Sequence, residues 1–408
     1  MGTFDVLNPD LYAAGDPVNN GLPLEQFERL RHEAPVYRQS ISDPLLVDWA
    51  WAVTRYDDVV ACARDHHRLI SGRGVTLRHF EPTLEESGGK PSMITMDGDR
   101  HVRNRRIVSR GFSPNVIRTV RERFRDICTR TIDAAFAKGS VDFVEDVAVW
   151  LPLHAICDLM GVPDADREDV LRWTNTFSVP TDPDFAPTME ESMAAVMAIC
   201  DYGVRLAEMR RADPREDAMS KVAAAFETEH LSEAELMGMT LLLAGAGNET
   251  TRNALSHGMH ALMRNPEQMA LLREQTDDVI DSAVEEILRW SSPLIQIRRT
   301  AAEDMEISGT RISAGDPVAL FFCSANFDES VFPEPQRFDI TRDPNPHVAF
   351  GTGPHVCLGA AVARLEIEVM IRELVARTSR IEQVGSIEYA RDSFLRGVKR
   401  LPVRLVPA

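Results

Sequence analysis

The segment Phe350–Gly359, FGTGPHVCLG, places a cysteine behind two closely spaced glycines. Glycines, which have no Cβ, allow the backbone to turn tightly and to approach a flat partner. Helical periodicity starts just after Cys357, so its thiol would lie at a helix N-terminus, where the dipole and unpaired N–H groups stabilise a thiolate. Such a thiolate is a suitable ligand for a haem iron. The alternative is a structural cysteine, since free cysteines are commonly buried and inert.

Polar residues in the middle of an otherwise apolar helical stretch form a second candidate site. Glu249, Thr250 and Thr251 follow Gly247 there. A threonine hydroxyl can donate to a carbonyl of the preceding turn and bend the helix, and glycine weakens the helix locally. Because buried polar groups need partners or a chemical task, the segment indicates either a reactive site or a kink with internally satisfied hydroxyls.

Two charged patterns accompany these segments. Glu286 and Arg289 stand three residues apart, a spacing that by itself usually marks a surface ion pair of small energetic value. The stretch Arg100–Arg110 holds five arginines and His101, although the chain has a net charge of −18. A solvated helix face explains most of these cations, and neutralisation of a buried anion is the other interpretation.

The glycine–cysteine loop resembles the haem-binding signature of the cytochrome P450 family. The matching residues are Phe350, Gly351, Gly353, His355, Cys357 and Gly359. The resemblance implies haem b (iron protoporphyrin IX) as cofactor, Cys357 as the proximal ligand of its iron and His355 as a partner of a haem propionate. It covers nearly the whole chain, from the amino-terminal segment to Val403.

The same resemblance implies roles for residues elsewhere in the chain. Glu249 and Thr250 match the acid–alcohol pair that delivers protons during oxygen activation in the family. His101, Arg105 and Arg299 match partners of the haem propionates, although many relatives have tryptophan where His101 stands.

Glu286 and Arg289 match a structural ion pair of the family, to which we assign no catalysis. In the family an arginine from the coil before the haem loop completes it, and Arg337 in the segment PQRF stands at the matching place.

Apolar residues near these motifs are candidates for a substrate pocket, with ordinary core packing as the alternative for each. The pocket candidates are Ile94, Leu242, Ala246, Leu294 and Ile295. Phe177 and Val179 are candidates for a lid.

The elements that must position these residues are mainly helical. Helical patterns dominate about residues 97–290 and 358–378, and β-rich patterns about residues 35–55 and 293–323 and the C-terminus, so we expect one domain over residues 1–408. A capping box of Ser232 and Glu235 predicts the start of a long helix that Pro266 would stop, about 50 Å later at 1.5 Å per residue. The predicted fold is that of the cytochromes P450, mainly α, with haem between this helix and the cysteine loop.

Composition narrows the functional class further. With 45 basic against 63 acidic residues, the chain is too acidic for a general nucleic-acid binder. No stretch approaches the roughly 20 apolar residues of a membrane span, and residues 1–10 lack the pattern of a secretory signal. Six scattered cysteines without a C-x-x-C pair are typical of a reducing cytoplasm. We therefore expect a cytoplasmic protein without a membrane anchor, and expect a monomer.

The expected function is that of a haem-thiolate monooxygenase. The resemblance is to soluble bacterial members that hydroxylate sterols, methyl-branched lipids or terpenoids, with O2 and with electrons from NAD(P)H through a ferredoxin reductase and a ferredoxin. Two alternatives stay open. A peroxide-driven peroxygenase would need no redox partner, but such relatives often lack the acid–alcohol pair. A haem sensor or carrier would need neither that pair nor an apolar cleft.

Overall fold

A computed structural model describes residues 4–15, 21–78, 90–112, 114–178, 182, 184, 188–215 and 217–408. Within this part of the chain most residues are helical, as the sequence predicted. The helices are α1 Pro9–Ala14, α2 Leu24–Glu33, α3 Tyr56–Arg64, α4 Gly98–Ser109, α5 Pro114–Lys138, α6 Trp150–Met160, α7 Arg167–Ser178, α8 Met189–Ala212, α9 Ala218–Thr228, α10 Glu233–Arg264, α11 Pro266–Glu274, α12 Thr276–Ser291, α13 Phe322–Ala325 and α14 Ala360–Arg377.

The predicted long helix is α10, a helix of 32 residues that carries the candidate acid and alcohol. Ser232 caps it, and the Glu235 side chain accepts the Ser232 backbone N–H, which confirms the capping box. Asn265 ends it directly before a proline that begins α11. The helix packs against α6, α7, α8, α12 and α14. It therefore forms the centre of the helical part and is in contact with the helix that follows Cys357.

The strands form one larger sheet and three small ones. They are β1 Val36–Ser40, β2 Trp49–Val53, β3 Leu69–Ile70, β4 Ser140–Asp142, β5 Ile297–Ala301, β6 Met305–Ile307, β7 Thr310–Ile312, β8 Pro317–Leu320, β9 Thr378–Gln383, β10 Glu388–Tyr389, β11 Val398–Arg400 and β12 Pro402–Pro407. The larger sheet has the order β1-β2-β8-β5-β3, with β2 and β8 parallel and the other neighbours antiparallel. Four of its five strands, β1, β2, β5 and β8, come from the two predicted β-rich segments, which lie more than 200 residues apart in the sequence, and β3 lies outside both segments.

Aromatic contacts pack two helices against the part of the chain that follows β8. The rings of Phe27 on α2 and Phe321 after β8 lie 5.3 Å apart, and both side chains are fully buried. On the other side, Trp290 at the end of α12 packs its ring against Phe327 and Phe338 at 5.5 Å each. Aromatic pairs at such distances contribute through both buried area and ring geometry. The contacts of Trp290 hold the coil between α13 and the cysteine loop against α12.

Among the helices of the described residues, none is both long and apolar enough to cross a membrane.

Candidate active site

The cysteine loop is built by two glycines with left-handed backbone conformations. Gly351 has φ +68° and Gly353 has φ +76°, values that side chains with a Cβ rarely adopt. A Cβ on Gly353 would also lie 2.7 Å from the carbonyl oxygen of Ala63 on α3, so the loop approaches that helix closely. The Cys357 N–H donates to the Phe350 carbonyl at 2.9 Å and closes the loop. The predicted glycine roles therefore correspond to a tight turn and a close backbone approach.

The Cys357 thiol lies directly before α14, deep among protein atoms, yet its residue is solvent-accessible. A side chain with both properties lines an interior space. Desolvation raises the pKa of the Cys357 thiol, while the Gly359 N–H and the charges of Arg105 and Arg364 act in the opposite direction. The Gly359 N–H and these two cations thus favour the thiolate, which is the form of cysteine that coordinates a metal.

Four basic groups from three distant segments converge near this loop. The ring centroids of His101 on α4 and His355 in the loop lie 4.1 Å apart, with the rings tilted by 32°, and Arg105 donates to the Val356 carbonyl at 2.6 Å. Burial, together with the neighbouring charges of Arg299, His101 and Arg105, lowers the pKa of His355 to about 3. Burial likewise lowers the pKa of Arg299 to about 10. The structure therefore brings together all four of the residues that the sequence analysis assigned to propionates.

This basic cluster fits the two carboxylates of a haem. His101 is 4 % exposed, and its Nε2 has no hydrogen-bond partner within the described residues. The charge of Asp97 opposes the lowering of the pKa of both His101 and Arg299, but its carboxylate already accepts the N–H groups of Ser71 and Gly72. Buried cations and an unpartnered imidazole nitrogen call for anionic acceptors. Together with the thiol, the residues present form a suitable site for haem.

One face of α10 presents the candidate alcohol and two pocket candidates to an interior space. Leu242 and Thr250 are partly exposed and Ala246 is exposed, although the flanking residues of the helix are largely buried. Their spacing of four residues puts them on one helical face. The Thr250 hydroxyl donates to the Ala246 carbonyl at 2.8 Å. The predicted hydroxyl-to-carbonyl bond is therefore present, within a helix that is continuous from Glu233 to Arg264.

The candidate acid, Glu249, points to a different set of partners. Its carboxylate accepts two bonds from Arg252 at 2.5 Å and one from Asn253 at 3.2 Å, and Arg252 also donates to Asn175 on α7. Sequence reasoning did not identify Arg252. The sequence could have indicated Arg252, because a carboxylate inside an apolar helix needs a counter-charge and Arg252 stands one turn away from Glu249.

Glu286 and Arg289 form an ion pair, and both side chains are fully buried. The Nε atom of Arg289 lies 2.8 Å from Oε2 of Glu286. The prediction for its third member, Arg337, was wrong. The side chain of Arg337 is 59 % exposed and pairs with Glu334, whereas Arg342, 9 % exposed, donates to Glu286 at 3.2 Å. Arg337 contributes its carbonyl, which accepts bonds from Arg289 and Arg342. The coil therefore turns so that the later arginine, not the first, reaches the buried carboxylate.

The remaining pocket candidates have different environments. Ile94 and Leu294 are partly buried and pack at the edge of an apolar cluster that includes the larger sheet. Ile295 is corrected: it is fully buried in the main core, so it lines no interior space. Phe177 on α7 lies against α10, where a Cβ on Gly245 would come within 2.6 Å of its ring. Val179 lies outside the described residues.

Most of the basic residues of α4 form ion pairs. Arg100 and Arg103 donate to Glu235 at 2.8 and 2.6 Å, and Arg106 to Glu229 at 2.6 Å. Since each of these cations has a carboxylate partner, the stretch is not a free basic patch.

Comparisons with known proteins agree with this geometry. The sequence profile named "Cytochrome P450" matches residues 166–380. A methyl-branched lipid omega-hydroxylase of Mycobacterium bovis is 42% identical over 97% of this chain and 92% of its own length. A steroid C26-monooxygenase of Mycolicibacterium smegmatis is 34% identical over 94% of this chain and 90% of its own. The crystal structure of a cytochrome P450 of Mycobacterium marinum in complex with pseudoionone, 33% identical, has a TM-score of 0.90 and covers 99% of both chains. The chain is therefore a monooxygenase that belongs to the cytochrome P450 family.

Proposed function

We propose that this protein hydroxylates an unactivated C–H bond of a hydrophobic small molecule, a methyl-branched lipid first and a sterol or terpenoid next. The observation that carries the chemistry is the convergence of the Cys357 thiol with four basic groups on one interior site. The substrate class is supported by the relatives, one a methyl-branched lipid omega-hydroxylase and one a steroid C26-monooxygenase. We also propose that residues 1–408 form a single domain and that the protein is monomeric and cytoplasmic.

The haem, which we propose to be haem b, supplies oxygen activation and C–H oxidation when bound. Cys357 would hold its iron, and His101, Arg105, Arg299 and His355 its propionates. The chain's own contribution is to orient the substrate and to control protons. Leu242 and Ala246 offer an apolar wall on the face of α10 that also carries Thr250. An aliphatic chain that lies along this wall would exclude water from it and would bring a C–H bond towards the reactive centre.

Proton delivery is proposed for the acid–alcohol pair. The Thr250 hydroxyl, held on the Ala246 carbonyl, can accept a hydrogen bond from a water and pass on a proton at its oxygen. Glu249 is proposed to relay protons to this hydroxyl: its carboxylate must first exchange at least one of its bonds from Arg252 for a water and take up a proton, which it then passes on. A peroxide-driven enzyme would not need this arrangement, so the pair favours the O2-dependent reaction over the peroxygenase alternative and over a haem sensor or carrier.

Electrons are proposed to arrive from NAD(P)H through a ferredoxin reductase and a ferredoxin. Two exposed apolar side chains lie close to the cysteine: Val102 on α4 is 62 % exposed and Val356, which precedes Cys357, is 40 % exposed. Arg105, on the same helix as Val102, donates to the Val356 carbonyl at 2.6 Å, so this helix is attached to the loop that carries Val356. A small apolar centre beside charged residues is the anatomy of a transient protein interface.

The test combines a binding screen with reconstitution. Haem-loaded protein is titrated with a methyl-branched fatty acid, a sterol and a terpenoid, and the shift of the Soret band identifies the ligands. Each ligand is then incubated with ferredoxin, ferredoxin reductase and NAD(P)H, or with peroxide alone. We expect a hydroxylated product with the ferredoxin system. Product with peroxide alone would establish the peroxygenase, and absence of product with either would establish a carrier or sensor.

The variant Cys357→His should bind haem but lose the thiolate character of the ferrous–CO spectrum.

A further inference from the structure

A buried carboxylate on α10 collects hydrogen bonds from one face of α4. The Glu235 side chain, 4 % exposed, accepts through Oε1 from Arg100 at 2.8 Å, from Arg103 at 2.6 Å and from Asn104 at 3.4 Å. Its Oε2 accepts the Ser232 backbone N–H at 2.9 Å. Hydrogen bonds and ion pairs lower the pKa of Glu235 against the opposing effect of its burial. One ionised carboxylate therefore joins the start of α10 to three side chains of α4.

The same helix α4 carries two of the basic residues of the candidate haem site. Arg100, Arg103 and Asn104 share one face, at spacings of three and four residues, and His101 and Arg105 share the neighbouring face. The His101 ring packs against the His355 ring, and Arg105 donates to the carbonyl of Val356. Because a helix of 12 residues is a rigid body at this scale, fixing the first face fixes the positions of His101 and Arg105.

A second contact lies one turn further along α10. A Cβ on Gly238 would stand 2.1 Å from the carbonyl oxygen of Pro91, a distance that real Cβ atoms do not reach. The chain that leads into α4 is thus in direct backbone contact with α10 at a position that only glycine permits. Glu235 and Gly238 together attach the segment from Pro91 to Asn104 to the first two turns of α10.

We propose that Glu235 is a positioning residue, which holds α4 so that His101 and Arg105 meet the haem propionates. The inference rests on the proposed function, since it takes those two residues as propionate partners. Without the Glu235 carboxylate, the partly buried guanidinium groups of Arg100 and Arg103 would lose their counter-charge. They would then repel the basic groups of the candidate haem site. The helix would then shift towards solvent, and haem would be released faster although Cys357 is unchanged.

The experiment measures transfer of haem from the holoprotein to an excess of apomyoglobin. Glu235→Gln should accelerate release about tenfold, the change expected when charge-assisted hydrogen bonds no longer hold the helix. Two controls separate other effects. Ser232→Ala removes the capping hydroxyl but leaves the three α4 donors on Glu235, and Glu229→Gln removes the ion pair of Arg106 on the same helix. Both should release haem within about twofold of the wild-type rate.

Further measurements decide between positioning and general stability. The melting temperature of each haem-loaded protein is recorded, and if Glu235→Gln melts lower but releases haem at the control rate, Glu235 has only a structural role and the proposal is overturned. Equal release rates for Glu235→Gln and Ser232→Ala also overturn it. If Glu235→Gln does not fold, Gly238→Ala, which forces Pro91 away from α10, must accelerate haem release, and a wild-type rate for that variant contradicts the inference.

A final pair of variants separates this inference from the proposed function. Arg105→Leu and His101→Phe remove the two basic groups themselves. If both release haem at the wild-type rate, the propionate assignment in the proposed function is wrong. If both accelerate release and Glu235→Gln does not, only the positioning role fails.

Discussion

Glu249 and Arg252 form an ion pair one turn apart on α10, and their side chains are only 2 and 4 % exposed. Arg252 extends the contact to Asn175 on α7, so the pair connects the central helix with the helix that carries Phe177. A carboxylate fixed in this way is kept away from Thr250, although the two residues are adjacent in the sequence. The proton relay proposed above therefore depends on how readily Glu249 changes partners.

Removing Arg252 should destabilise the protein strongly. In Arg252→Leu the Glu249 charge stays buried without its cation, a change that costs about 3–5 kcal/mol of unfolding free energy. The double variant Glu249→Gln, Arg252→Leu should recover most of this loss, because it leaves no unpaired charge. Urea unfolding of the haem-loaded proteins measures both values. As a control, Arg29→Leu removes the cation of the exposed pair with Glu33 and should leave stability unchanged. Equal stabilities of Arg252→Leu and Arg29→Leu would contradict the account.

Two arginines of the coil before the haem loop should differ sharply in importance. Arg342→Ala removes a nearly buried cation from Glu286, and it also loses the bonds to the carbonyls of Pro333 and Arg337. We expect a loss of about 2–4 kcal/mol and low haem content. Arg337→Ala keeps the backbone carbonyl that Arg289 and Arg342 use, so it should behave as wild type within about 0.5 kcal/mol. Haem content per polypeptide and melting temperature are measured for both variants. If Arg337→Ala loses more of either than Arg342→Ala, then Arg342 is not the arginine that completes the buried pair.

Sequence alone predicted features that depend on local patterns. The capping box at Ser232 and Glu235 is one, because its two partners stand three residues apart. The tight turn at Gly351 and Gly353 is another, and it takes the form of positive φ angles at both glycines. The choice between Arg337 and Arg342 was not accessible, since a coil has no periodicity to say which side chain turns inward.

The short strands were missed for a related reason. β3 is a strand of two residues that pairs with β5, more than 200 residues later in the chain. Its existence depends on the assembled sheet, and two residues carry no pattern of their own. Ile295 shows the same limit, because its sequence position beside Leu294 suits a pocket wall and a core residue equally well.

The buried carboxyl of Glu366 on α14 should make stability depend on pH. Desolvation raises the pKa of Glu366 to about 8, and a hydrogen bond with Thr251 opposes this only in part. An unfolded glutamate has a pKa of about 4.3. Between these values the folded protein holds one proton more than the unfolded chain, so the unfolding free energy falls as pH rises. The stabilisation from this group is complete below pH 4.3 and is lost once the pH passes about 8.

Glu366→Gln should remove this pH dependence, because the amide is neutral throughout. Relative to wild type, the variant should gain stability between pH 5 and pH 8, by up to about 1.4 kcal/mol per pH unit. Asp392→Asn is the matched control, since burial raises the pKa of Asp392 to about 6. The effect of Asp392 on the pH dependence of unfolding should therefore end near pH 6, whereas that of Glu366 extends to about pH 8. Urea midpoints at pH 5, 6, 7 and 8 measure both. A constant difference between Glu366→Gln and wild type would show that Glu366 is ionised in the folded protein.

Thr250→Ala tests whether the hydroxyl on the interior face of α10 controls protons. The substitution removes the bond to the Ala246 carbonyl, but the helix bonds of the backbone remain, so haem binding and substrate binding should persist. Electron uptake should also persist, because no residue near Cys357 changes. Positioned proton donors contribute about 10²–10⁴-fold to a reaction step. We therefore expect NAD(P)H consumption with little hydroxylated product, and peroxide in its place.

The neighbouring threonine provides the control for Thr250→Ala. Thr251 is buried and bonds Glu366 instead of facing the interior space, so Thr251→Ala removes a hydroxyl from the same helix without touching the proposed relay. NAD(P)H consumed, peroxide formed and product formed are measured in one reaction, with the ligand found in the binding screen. Thr251→Ala should keep the wild-type ratio of product to NAD(P)H. If Thr250→Ala keeps it as well, the Thr250 hydroxyl only completes the hydrogen bonding of the helix, and the protons reach the reactive centre by another path.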